Sequence, residues 1–134
     1  MLLSRQQRFP RSRFSVPAAR TFAVNTATEW GATDRLDDVR LCVSELATNA
    51  LLHGVPPGRE FCVRLTTDGE VLRIEVRDSG DGRPSAQAPC ADQITGRGLH
   101  IVRELADDCG VVEHVVGKTV WLAIKTASVS EGAR

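Results

Sequence analysis

FCVRLTTDGEVLRIEVRD, residues 61–78, decides what kind of layer this chain builds. Phe61, Val63 and Leu65 alternate with polar neighbours, Asp68-Gly69 supplies a hairpin turn, and Leu72, Ile74 and Val76 then alternate with Arg73, Glu75 and Arg77. A period of two with one apolar face predicts two antiparallel strands covered on one side only. Strand parity carries the inward series one step further, to Asp78. A carboxylate aimed toward a core is costly unless donors meet it. Asp78 therefore either caps its own Asp-Gly loop or accepts from the amino group of a ligand such as adenine.

Helical patterns lie on both sides of this hairpin. Upstream, Pro17 at a first-turn position predicts a helix through Trp30 that ends near Gly31, and a second runs from after Asp34 to His53 with Gly54 as its stop. Downstream, residues 79–95 hold glycines, prolines and small polar residues and read as a long loop. From Gly98 a third helix carries Leu99, Val102, Leu105 or Ala106, and Cys109 at helical spacing, closing at Gly110. Strands around 111–116 and 119–125 follow, joined at Gly117-Lys118. The order ααββαββ predicts an α+β fold, a two-layer α/β sandwich with a mostly antiparallel sheet and its helices on one face. The opening MLLSRQQRFPRSRF carries Arg5, Arg8, Arg11 and Arg13 and is broken by Pro10. It reads as a loose tail or short edge strand, or as an arm for an acidic partner.

Composition narrows the function classes. With 134 residues and 42% hydrophobic content the chain is one globular domain, and with 4% aromatics its core must be aliphatic. A net charge of zero offers no general attraction to nucleic acid or an anionic membrane. Cys42, Cys62, Cys90 and Cys109 are scattered without zinc-ligand spacing, no apolar run is long enough for a membrane span, and no secretory segment opens the chain. These features point to a soluble cytoplasmic protein without structural zinc or a disulfide framework.

Three stretches carry chemistry. In the helix that contains SELATNALLHG (44–54), Leu36, Val39, Val43, Leu46 and Ala50 form the core stripe, while Glu45 and Asn49 lie on another ridge beside Asp38, Leu41, Cys42 and Leu52. That flank is either a solvated face or a cleft wall. In VRDSGDG, Gly80 and Gly82 follow Asp78 and let the backbone turn close to a flat ligand. In TGRGLHIVREL, Gly96 and Gly98 precede a helix whose N-terminal amides suit an anion. The third glycine of a dinucleotide fingerprint is missing, since Ile101 stands there, and no phosphate-binding G-x-x-x-x-G-K-[ST] occurs.

The ordered set E-x-x-x-N, D-x-G-x-G and G-x-G-L resembles the N, G1 and G2 boxes of the GHKL superfamily, the histidine-kinase-like ATPases. SELATNALLHG, VRDSGDG and GRGLHIVRELAD look most like its stand-alone anti-sigma-factor serine/threonine kinases of actinobacterial type. The resemblance implies an ATP-binding kinase domain over residues 15–126, between an Arg-rich segment (1–14) and a C-terminal tail (127–134). It implies that Asn49 binds Mg²⁺, that Glu45 is the general base, and that Asp78 bonds the adenine amino group in a pocket shaped by Gly80 and Gly82. Gly96, Gly98 and Leu99 would meet the phosphates, with 83–95 as the ATP lid. His53 and Arg97 fall where phosphate contact or an ordinary helix-end and surface role are both open; His100 and His114 read as structural or surface residues. The family implies binding of a sigma factor, phosphorylation of a serine on a STAS-type anti-anti-sigma protein, and a homodimer, with the first helix and Arg-rich start as candidate partner region. The alternative is a non-catalytic ATP-binding partner switch of the same fold. A sensor histidine kinase would need phospho-acceptor helices, and a gyrase-type ATPase transducer domains.

Overall fold

The computed structural model describes residues 2–55, 58–78 and 100–126. The elements run β1 (Leu3–Pro10), α1 (Ser15–Glu29), α2 (Leu36–Asn49), a π-helical turn (Ala50–Gly54), β2 (Glu60–Thr67), β3 (Val71–Arg77), α3 (His100–Leu105), β4 (Asp108–Glu113) and β5 (Lys118–Lys125). The strands form one antiparallel sheet in the order β1-β2-β3-β5-β4. Helices cover one face of it, as the alternation in 61–77 requires: Phe61, Val63, Leu65, Leu72, Ile74 and Val76 are buried with Leu122 and Ile124 of β5. The helical layer meets them with small and branched residues, Ala19, Ala23 and Ala27 from α1 and Val39, Val43, Leu46 and Ala47 from α2.

The Arg-rich start is an edge strand, not a tail. Phe9 anchors it, 3% exposed, stacked on Phe61 at 5.6 Å between ring centroids and edge-on to Phe22 at 6.1 Å. Arg5 ties the strand to the end of α1 through Glu29 at 2.8 Å. The element order therefore gains a strand before the first helix. The hairpin turn forms at Asp68-Gly69 as the sequence indicates. Gly69 has φ +105°, and Asp68 Oδ1 accepts from the backbone N–H groups of Glu70 and Val71.

Three helix boundaries differ from expectation. Helix α1 starts at Ser15, two residues before Pro17, because the Ser15 N–H donates to Ser12 O and its hydroxyl to Pro10 O. Pro17 still costs no hydrogen bond, since first-turn N–H groups lack helical partners. At the other end Gly31, φ +83°, closes a Schellman cap in which Gly31 N–H reaches Thr28 O and Ala32 N–H reaches Ala27 O. Helix α2 is regular only to Asn49, and the chain from Ala50 to Gly54 is π-helical. Helix α3 ends at Leu105 rather than near Gly110. There the sheet wins over helical spacing: Asp107 N–H donates to Ala123 O, Cys109 pairs with Leu122, and Gly110 with Trp121. A Cβ at Gly110 would stand 2.9 Å from the Trp121 indole nitrogen, so glycine lets that ring lie over β4.

One side chain binds the two layers at the start of α2. Arg35 donates from Nε to Asp38 Oδ2 (2.7 Å), from Nη2 to Leu105 O (2.8 Å) and from Nη1 to Lys125 O (3.1 Å). It thereby satisfies the last carbonyl of α3. Its hydrogen bond to Asp38 holds the guanidinium pKa above its ordinary value. Asp107, 3.5 Å from Arg35, accepts from the Lys125 N–H at 2.7 Å, and that backbone bond holds its carboxyl below the usual range.

Two outcomes are expected. Arg35→Met should lower the unfolding free energy by about 1–3 kcal/mol in urea titrations, the scale of lost charge-assisted hydrogen bonds. Because the folded pKa of Asp107 is depressed, its stabilisation is full above the ordinary unfolded value near ~3.9 and fades as pH falls through the folded value. Asp107→Asn should remove that acid-side loss. The carboxylate is 42% exposed, so the change should be a fraction of ~1 kcal/mol at neutral pH.

Candidate functional site

Helix α2 supplies one wall of the site. Its buried stripe of Val39, Val43, Leu46 and Ala47 fixes its rotation, which leaves Glu45 and Asn49, one turn apart on another ridge, half-buried. The flank is mixed. Leu41 and Leu52 are 46% and 65% exposed, but Cys42 lies wholly in the core. Burial first and Asp38 second push its thiol pKa up to about 12, so Cys42 is an inert apolar residue and not part of a cleft wall. Arg35, at the start of α2, holds the end of α3 through Leu105 O, and Cys42 is buried in the same core as Val102 of α3. Helix α2 as a whole packs against the helix that follows the glycine-rich segment.

The regular helix gives way immediately after Asn49. A π-helical turn holds one more residue than an α-turn, so the regular α-helical ridge stops at Asn49; the His53 side chain lies outside the described residues. Such turns recur at functional positions because they offset a side chain from the helical rows.

Asp78 supplies the second wall. It stands one residue beyond β3, continues the sheet by donating its N–H to Lys118 O at 3.0 Å, and is only 4% exposed. Oδ1 accepts from the Lys118 N–H and Oδ2 from the Lys118 ammonium, both at 3.1 Å. A single residue of β5 thus provides backbone and side-chain donors to one carboxylate, which is how the buried charge is tolerated. Asp78 also borders a concavity of about 420 Å³ with Arg59, Arg77 and Val116; neither Glu45 nor Asn49 lines it.

The structure places Glu45 and Asn49 together, and α2 packs against β3, the strand that ends at Asp78. Gly80, Gly82, Gly96, Arg97, Gly98, Leu99 and the 83–95 loop lie outside the described residues. Lys118 was not singled out by sequence. Its one signal is rarity, since the chain has only two lysines, and nothing local says which carboxylate it meets. Among the described residues no cluster of three or more His, Cys, Asp or Glu could hold a metal, and no helix is long and apolar enough to cross a membrane. The Asn49 amide oxygen on the α2 ridge could hold a divalent ion that draws its other ligands from phosphate and water, a donor set that suits Mg²⁺.

The sequence matches known proteins over most of its length. The model of the histidine kinase-like ATPase domain family matches residues 9–124. An anti-sigma F factor of Geobacillus stearothermophilus is 29% identical over 105 residues, covering 71% of each chain. An anti-sigma F factor of Halalkalibacterium halodurans is 28% identical over 100 residues, covering 66% of this chain and 68% of the relative.

Removal of the Lys118 ammonium leaves the buried Asp78 carboxylate with a weaker donor set. Lys118→Met should therefore lower stability by about 1–3 kcal/mol, and Lys118→Met with Asp78→Asn by less than the sum of the two single changes. Additive losses in chemical denaturation would mean that the pair is not coupled.

Proposed function

The chain belongs to the histidine kinase-like ATPase domain family, and from that membership we propose that it is an ATP–Mg²⁺-dependent protein serine kinase acting as an anti-sigma factor. It binds a sigma factor and phosphorylates a serine on a STAS-type anti-anti-sigma partner. The observation that carries the reading is the buried Asp78 one residue beyond β3, an acceptor-only group 4% exposed at the border of a concavity. The likeness to two anti-sigma F factors supports the sigma-factor partner.

The residues fit a magnesium–nucleotide. Asp78 offers the adenine amino group a carboxylate held by Lys118. Asn49 offers Mg²⁺ a neutral hard oxygen. Bound ATP–Mg²⁺ supplies the transferable γ-phosphoryl group with its charge partly neutralised. Glu45, on the same ridge as Asn49, takes the proton of the attacking serine hydroxyl onto its carboxylate. Half-burial suits that task, since the base must be reachable by a partner's serine. Gly80 and Gly82 shape the adenine pocket, Gly96, Gly98 and Leu99 bring backbone amides to the phosphates, and Arg97 and His53 lend positive charge nearby. Residues 15–126 form the ATP-binding domain, with β1 completing its sheet. The protein acts in the cytoplasm as a homodimer, with α1 and the Arg-rich strand near the sigma-factor surface.

With purified chain, Mg²⁺-ATP and the STAS partner, Glu45→Ala should bind nucleotide as the wild type does and lose phosphotransfer by a factor of about 10² or more. Asn49→Ala and Asp78→Asn should weaken nucleotide binding itself about tenfold or more. Phosphotransfer by Glu45→Ala at the wild-type rate would remove Glu45 from the base role. A wild type that binds ATP and phosphorylates no serine would leave a non-catalytic partner switch.

A further inference from the structure

The helices cover one face of the sheet, and the other face is not neutral. Parity places Gln6 and Arg8 of β1, Cys62 and Arg64 of β2, and Arg73, Glu75 and Arg77 of β3 on the open side. Together with Val112, His114 and Thr119 they line a concavity of about 500 Å³. Four arginines share it with one carboxylate. Glu75 is already divided between Arg73 (2.7 Å) and Arg64 (3.3 Å), while Arg8 and Arg77 make no ion pair with any described residue. The chain as a whole has zero net charge, so this is a local segregation of positive charge and not a reflection of a basic protein. Beside it Trp121 lies over Gly110, with the Arg73 guanidinium 4.2 Å above its ring.

We propose that the open face of β1, β2 and β3, built from Arg8, Arg64, Arg73 and Arg77 around Glu75, docks an acidic segment of a partner protein. Guanidinium groups on adjacent strands form a fixed two-dimensional array of fork donors, matched by carboxylates on an extended or helical acidic stretch. A second copy of this chain does not match it. A two-fold contact through this face sets the patch against itself and opposes arginines to arginines. Nucleic acid matches it less well than an acidic polypeptide, because the chain lacks the overall basic charge of such binders. The face is opposite to the helical layer that carries Glu45 and Asn49; Arg8 and Arg77 also line the concavity bordered by Asp78, whereas Arg64 and Arg73 line the open face alone.

The test titrates the full chain, labelled with ¹⁵N, with a polyglutamate peptide of about twenty residues, long enough to cross the three strands. The Trp121 indole and the Nε–H signals of Arg8, Arg64 and Arg77 should shift, with affinity falling as salt is raised. Arg8→Glu with Arg64→Glu should weaken binding about tenfold or more. Arg8→Gln with Arg64→Gln, which asks less of the fold, should weaken it about threefold, and Arg40→Glu on α2 should leave it unchanged. Arg64→Gln alone, at a residue that lines the open face and not the concavity at Asp78, should weaken peptide binding and keep the wild-type Mg²⁺-ATP affinity, so failure here is separable from failure of the nucleotide site. The proposal is overturned if no open-face signal moves or if Arg40→Glu weakens binding equally. It is also overturned if oligo-dT of equal length binds the same residues more tightly, or if the wild type is a dimer that the Arg8/Arg64 changes turn into monomers.

Discussion

A buried carboxylate at the end of the central strand is the constraint on which the rest of the structure depends. Left alone, Asp78 at 4% exposure would be unfavourable by several kcal/mol. The chain resolves this by routing β5 so that Lys118 arrives opposite it and offers an amide and an ammonium together. The same arrangement extends the β3–β5 pairing by one backbone bond past the strand. Arg35 secures the opposite end of β5 by holding Lys125 O, Leu105 O and Asp38. The helical layer is thus fixed on the sheet at one end, while at the other a charged acceptor is presented in a set orientation.

That division explains how the proposed chemistry is shared out. Recognition of a base needs an acceptor that does not reorganise, and Asp78 is held by donors from a neighbouring strand. Phosphoryl transfer needs groups that meet substrate from solvent, and Glu45 and Asn49 sit half-buried on a helix whose opposite stripe is anchored in the core. The π-helical turn just beyond Asn49 separates the ridge from the residues that lead away. The open sheet face carries Arg64 and Arg73 away from Asp78, while Arg8 and Arg77 stand where that face meets the concavity at Asp78.

Much of this was legible in the sequence where the signal was local. The alternation of Leu72, Ile74 and Val76 fixed the inward direction of Asp78, and burial follows it. Asp68-Gly69 marked its turn, and the stripe from Val39 to Leu46 oriented α2 and hence Glu45 and Asn49. What was not legible depended on contacts far apart in the chain. Cys42 looked like part of an open flank, yet it lies wholly in the core, where tertiary packing between α2 and elements far along the chain buries it. Cys109 and Gly110 kept helical spacing with Val102 yet joined the sheet, because pairing with Leu122 and Trp121 outweighs continuing a short helix. Phe9 gave no sign of being an anchor until Phe22 and Phe61 enclosed it. Lys118 had no local cue to its carboxylate at all.

The central claim is that Asp78 reads the amino group of adenine. The most direct measurement is calorimetric titration of the wild-type chain with Mg²⁺-ATP and with Mg²⁺-inosine triphosphate, which differ at that group alone among the exocyclic positions. A hydrogen bond to a buried carboxylate predicts that ATP binds about tenfold or more tightly, and that Asp78→Asn narrows the gap. Equal affinity of the wild type for the two nucleotides would contradict the account.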